Sequence, residues 1–234
     1  MIVYAVIGDI VGSRRAASRS AVQAALAPAL ARVDAVVPSL DGLLPTVGDE
    51  FQGAYATLED AVSVTLLARL HLLPLVDTRY GVGVGEREVL DVTRTPPLQD
   101  GPAWWTARAA IDELGRPSAR ARRGWYDATH APGGPAGAGV VNAYLLCRDA
   151  LVDRLGERGQ RILRASLGGA SQREIATAEG ISEPAVSQHL RRGVGAVRDA
   201  HAELRRFASA TGGGAGGAAG ATSADAAGGR PTPM

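Results

Sequence analysis

No lysine occurs in the 234 residues, so all 25 basic side chains are arginine. Chemistry that needs a lysine ammonium therefore lies outside what this chain can do. There is a single cysteine, Cys147, which excludes an internal disulfide and fits a reducing, cytoplasmic setting. Its neighbours Leu145 and Leu146 make it read as a small core residue. No apolar run approaches the ~20 residues of a membrane-spanning helix. The apolar opening Met1–Asp9 has no basic flank and reads as a buried strand, not a secretion signal.

The composition, 46% hydrophobic and 21% charged, is that of a soluble globular protein. The net charge of +1 is unevenly distributed. Residues 148–206 hold 11 arginines against 8 acids, and residues 1–147 hold 13 against 15. A mildly basic C-terminal half suits contact with nucleic acid.

The apolar pattern predicts strands at Ile2–Ile7, Leu43–Val47, Phe51–Ala56 and Tyr80–Val84, with Glu88–Val92 continuing or pairing with the last. Helices are predicted at Ser20–Val37, Leu58–Leu73, Gly101–Leu114 and Val140–Leu155. Gly48-Asp49-Glu50 is a hairpin signal. The order β-α-β-β-α-β points to an α+β sandwich of ferredoxin-like type, with its helices on one face of the sheet. The pattern breaks down from Arg116 to Gly139. The Gly/Ala-rich stretch 209–234 has almost no large apolar residues and is expected to be a disordered tail.

The stretch Ser171–Arg192 carries several constraints at fixed offsets. Ser171 and Glu174 form a capping box, Ile175 and the small Ala176 face a core, and Gly180 suits a turn with positive φ. Ile181 plugs the core, Ser182 caps a second helix, and Pro184 fits its first turn. Val186 and Leu190 form the buried stripe of that second helix. Its exposed side then includes Glu183, Ser187, Gln188, Arg191 and Arg192, groups suited to base edges and phosphates. This is the expected DNA-binding surface of a helix-turn-helix. Leu155–Arg192 resembles region 4 of sigma factors and the related response-regulator modules, notably in Arg161-Ile162-Leu163-Arg164 followed by Ser171–Ala176. Glu179 departs from that pattern, where an apolar residue is usual.

In the N-terminal half, Asp9 ends the first strand in Gly8-Asp9-Ile10-Val11-Gly12, and Asp49 sits in the hairpin Val47-Gly48-Asp49-Glu50-Phe51. If that strand lies beside the hairpin, the two carboxylates meet at one sheet edge, where they suit Mg²⁺ or Mn²⁺ shared with a nucleotide phosphate. The Gly12-Ser13 turn offers backbone N–H groups to the phosphate. Glu50 reads as a solvated hairpin charge. These motifs resemble the two metal-binding strand ends of class III nucleotidyl cyclases, the second resembles the diguanylate cyclase signature as well, and Arg79–Gly85 resembles the strand that follows. The resemblance implies a lysine that reads adenine, which is absent. It also implies an asparagine and an arginine on a later helix. Arg108 is the candidate for that arginine, and hence for a catalytic role, but Trp104 falls where the asparagine belongs. The Trp104-Trp105 pair either stacks on a base or fills core or dimer space.

With both halves in this order, the chain resembles the SatD family. The expected organisation is a cyclase-like α+β domain at 1–135, a helical linker and helix-turn-helix domain at 140–207, and the tail. The leading expectation is a DNA-binding transcription regulator whose N-terminal part senses a nucleotide. Two alternatives stay open: a metal-dependent nucleotidyl cyclase or transferase, and a pseudo-enzyme used for dimerisation. A homodimer is expected on each, because one recognition helix reads few bases and cyclase-like sites form between subunits. The Leu58–Leu73 helix and the tryptophan pair are candidates for the interface and equally for core packing. No membrane partner is expected.

Overall fold

The computed structural model describes residues 1–12, 19–73 and 75–212. Among them a five-stranded sheet has the order β2-β3-β1-β4-β7. Its strands are β1 (Ile2–Ile10), β2 (Leu44–Pro45), β3 (Glu50–Tyr55), β4 (Thr78–Glu86) and β7 (Gly124–Asp127). All neighbours run antiparallel except β4 and β7, which are parallel. The helices are α1 (Arg19–Asp34), α2 (Leu58–Leu72), α3 (Pro102–Leu114), α4 (Ala138–Asp153), α5 (Glu157–Leu167), α6 (Gln172–Glu179), α7 (Glu183–His189) and α8 (Gly195–Gly212). The result is a mixed α+β fold.

Both faces of the sheet are covered, contrary to the expected one-sided sandwich. The reason lies in β1, which is apolar at successive positions and so must be buried on both sides. Val6 and Ile10 face α1 and α2, together with Phe51, Tyr55, Tyr80, Val82 and Val84. Val3, Ala5 and Ile7 point the other way, into a smaller core with Ala103, Trp104, Ala107 and Ile111 of α3. The glycines of β4 make this second face possible. A Cβ at Gly81 would stand 2.3 Å from the Ala107 carbonyl, and one at Gly83 2.2 Å from the Ala107 nitrogen. Helix α3 thus rests directly on the strand backbone.

Two elements differ from the sequence reading. Residues Glu88–Asp91 (β5) neither extend β4 nor join the sheet; they pair with β6 (Leu98–Asp100) as a separate two-stranded ribbon. The unpatterned stretch after Arg116 contains β7, whose outer edge is closed by a side chain. The Tyr126 N–H donates to Asn142 Oδ1 (2.8 Å), and Asn142 Nδ2 donates to the Tyr126 carbonyl (2.9 Å). A four-residue strand with such a borrowed partner has too little periodicity to be read from sequence.

Helix α2 is apolar nearly all round, as a fully enclosed helix should be. Eleven of its fifteen residues are buried, which leaves it unavailable as the dimer surface considered above. One side meets α1 and the sheet. Leu66 and Leu70 join a second core with Val152, Ile162, Leu163, Ile175, Ala176, Val186, Val194 and Val197 of the C-terminal helices. The two halves also share buried charge. Arg69 of α2 donates to Asp77 (2.9 Å) and pairs with Asp153 (2.5 Å), while Arg148 donates to Asp149 and, at 2.8 Å, to Thr65 Oγ1. His201 of α8 lies between Ser63 Oγ (3.0 Å) and the Tyr144 hydroxyl (2.8 Å).

Cys147 is exposed, not a core residue, because α4 turns it away from the Leu145 face. Helix α8 runs through Gly212, past the expected start of the tail at residue 209; the rest of that predicted tail, 213–234, lies outside the described residues. No helix among the described residues is long and apolar enough to cross a membrane.

Candidate functional site

Strand register builds a charged cleft at one end of the sheet. Asp9 lies opposite Glu50 on β3 and opposite Arg79 on β4, so three charged residues stand in a row across the central strands. Arg79 grips Asp9 Oδ2 through Nε (2.7 Å) and Nη2 (2.5 Å), and its Nη1 donates to the Leu114 carbonyl (3.3 Å). Arg108 of α3 makes a two-pronged pair with Glu50, 2.8 Å on each arm. With Asp112 and Arg116 these groups line a cleft of about 460 Å³. Burial pushes the Asp9 carboxyl above its ordinary range; the Arg79 guanidinium opposes this, and the charges of Asp49 and Glu50 add to it.

The candidate residues are divided by this geometry. Asp9 and Arg108 line the cleft; Asp49 and Gly12 do not. Asp49 lies within electrostatic reach of Asp9, and its carbonyl accepts from the Ile10 N–H at 3.3 Å. Gly12 has the positive φ (70°) that its turn requires. Ser13 lies outside the described residues. Glu50 is not a solvated hairpin charge but half-buried and paired. For Mg²⁺ or Mn²⁺ the donor set is thin: Asp9 already holds a guanidinium, and the described residues contain no group of three or more carboxylate, histidine or cysteine side chains placed to hold a metal ion. A cation would have to compete with Arg79. Sequence reading missed the Arg79–Asp9 and Arg108–Glu50 pairs, because the first depends on cross-strand register and the second on where α3 crosses the sheet.

The two tryptophans separate. Trp104 is buried in the α3 core and its Nε1 has no partner there. Trp105 is exposed, and its Nε1 donates to Asp100 Oδ1 (2.7 Å). Neither lines the cleft.

At the other end of the chain, α6 and α7 have the local geometry expected of them. Ser171 and Glu174 make the reciprocal capping box. Gly180 ends α6 in the left-handed region (φ 62°, ψ 38°), and Ser182 caps α7 by accepting from the Ala185 N–H. Val186 is fully buried, Ser187 half-buried, and Glu183 and Gln188 exposed. Arg191 and Arg192 are exposed but lie beyond α7, in the kinked segment Leu190–Val194, where Gly193 takes φ 128° and breaks the helix. Glu179 also has a structural account. Arg161 of α5 holds it at 2.9 and 2.7 Å, keeping its carboxyl below the usual range, so an ion pair replaces the apolar contact.

Residues 3–117 match the SatD family. The match covers β1 to α3 and stops before β7 and the C-terminal helices. No curated protein matches the chain. Among the solved structures similar to it are two of a bacterial light-regulated adenylyl cyclase. One is 11% identical with a TM-score of 0.43, over 61% of this chain and 79% of the cyclase chain. The other is 10% identical with a TM-score of 0.41, over 54% of this chain and 42% of the cyclase chain.

Proposed function

We propose that this chain is a DNA-binding regulator of SatD type that reads duplex DNA with α6 and α7. The observation that supports this reading is the division of α7: Val186 is locked into a core, while Glu183, Gln188 and the following Arg191 and Arg192 are exposed. Gln188 and the half-buried Ser187 are the candidates for base edges, and the arginines for phosphates. Binding should weaken steeply with salt. The double variant Arg191→Ala/Arg192→Ala should flatten the slope of log K against log[salt] by about two units. An unchanged slope removes this surface from the reading. A homodimer presenting two such helices is the expected binding form, checked by the mass of the protein–DNA complex in sedimentation.

A second reading concerns the cleft, whose mix of carboxylates and guanidinia suits a nucleotide phosphate accompanied by a divalent cation. Here Asp9, assisted by Asp49, would hold the cation; Arg108, with the Gly12-Ser13 turn, would face the phosphate; and Arg79 would have to release Asp9. The chain then acts as a nucleotide sensor, with nucleotidyl transfer or a purely dimerising pseudo-enzyme as its alternatives. Calorimetry with ATP and Mg²⁺ tests it. Asp9→Asn should abolish metal-dependent binding without lowering the melting temperature of the metal-free protein, because the buried carboxylate is itself disfavoured. If the variant melts early and wild type binds no nucleotide, Asp9 is a structural ion-pair residue.

A further inference from the structure

Beside the α7 surface, and sharing Arg192 with it, a basic cleft lies between the start of α5 and the end of α7. It encloses about 410 Å³ and is lined by Arg154, Arg158, His189 and Arg192, with the single carboxylate Glu157 and the backbone of Gly156 and Gly159. Among the described residues no carboxylate lies within 4 Å of Arg154 or Arg192, and the one approach to Arg158 is Glu179 at 3.8 Å. Three guanidinia gathered around one concavity repel one another unless an anion joins them. Arg192 reaches the cleft at the end of the helical backbone that continues from α7, just before the chain breaks from the helix at Gly193.

We infer that this cleft clamps a backbone phosphate of the DNA that α7 reads. The inference rests on the DNA-binding reading above. Its geometric basis is the length of α7. The helical backbone runs from Glu183 to Arg191, a span of roughly 13 Å, and the major groove is about 12 Å wide. A helix that short, lying in the groove, brings the groups just past its end to the phosphates that bound the groove. Arg192 and His189 stand at that end, and Arg154 and Arg158 approach the same space from α4 and α5. The amides that open α5 have no capping side chain at Gly156 and add donors on the same wall. Glu157 is the one group that opposes an anion there.

The test uses the full chain, random-sequence duplex DNA and a salt series, with ATP alone as a second probe. Arg154→Ala should flatten the salt slope by about 0.9 for the lost phosphate contact. Glu157→Gln should move affinity the other way, raising it severalfold; a merely structural role for the cleft would not produce opposite signs. Thermal melts of both variants confirm that the fold is kept. If wild type binds DNA and neither variant changes affinity or slope, the clamp is overturned while the α7 surface stands. If wild type binds no DNA, the DNA-binding reading fails and the clamp with it. If Arg154→Ala weakens ATP binding and leaves the DNA slope untouched, the cleft takes a free phosphate group instead, which also overturns it.

Discussion

The His201 ring is fixed from both nitrogens, by Ser63 and Tyr144, in a site closed to water. Burial, followed by the charges of Arg148 and Arg205, lowers its pKa to about 4. The folded protein therefore keeps it neutral at pH values where the unfolded chain, with a histidine pKa near 6.5, takes up a proton. Its contribution to stability is complete above about pH 6.5 and is lost as the pH falls towards 4, with a slope approaching ~1.4 kcal/mol per pH unit. His71 is lowered to about 4 by burial and by Arg164 and Arg32; being half-exposed, it acts in the same direction with a smaller effect. Asp9 acts oppositely: its raised pKa favours the fold in acid, and that contribution is lost as the pH rises through it. His201→Gln keeps hydrogen-bonding atoms but cannot titrate. Denaturant unfolding from pH 7 to 4 should show a shallower acid decline for it than for wild type. An identical decline would place the acid sensitivity elsewhere.

Among the elements, α3 is held by what β4 lacks. The two glycines under Ala107 leave no room for a methyl group, so Gly83→Ala should lift the helix, displace Arg108 from Glu50 and cost about 1–3 kcal/mol. Gly139→Ala is the matched control. Its Cβ meets nothing within 4 Å, and it sits in α4, so it should stabilise by about 0.4–1 kcal/mol. If Gly83→Ala melts with wild type, the close approach is not what seats α3. The elements that sequence made legible were those with strong local signals: β1, β4, α1, α2, α3, α4, the hairpin at Asp49, and the capped pair α6 and α7. The illegible ones depend on distant partners. Strand β7 exists because β4 and Asn142 flank it, the ribbon of β5 and β6 because the two segments find each other, and the second covered face because glycines meet a helix about twenty-five residues later. For the cleft, sequence pointed to Asp9 and Arg108 but not to their ion-pair partners, since register decides which side chains stand opposite. Arg191 and Arg192 were recognised as exposed, and the break at Arg192 and Gly193 sets where the helix ends beside them.

Across the whole molecule, α2 is the wall common to both cores. A fragment beginning at residue 140 would leave Ile162, Val186 and Val197 without Leu66 and Leu70, and His201 without Ser63. It should accordingly show no cooperative melt, whereas the full chain should unfold in one transition by both far-ultraviolet circular dichroism and tryptophan fluorescence. Trp104, Trp105 and Trp125 all lie in the N-terminal half, so fluorescence reports that half alone. Two separated transitions would mean that the cores are independent. A helix with no face left for solvent also has no private movement: a shift of α2 against the sheet is at once a shift of the floor beneath α5. Such a shared floor gives a displacement at the sheet end a direct mechanical route to the tilt of α5 and of the α6 and α7 pair packed with it.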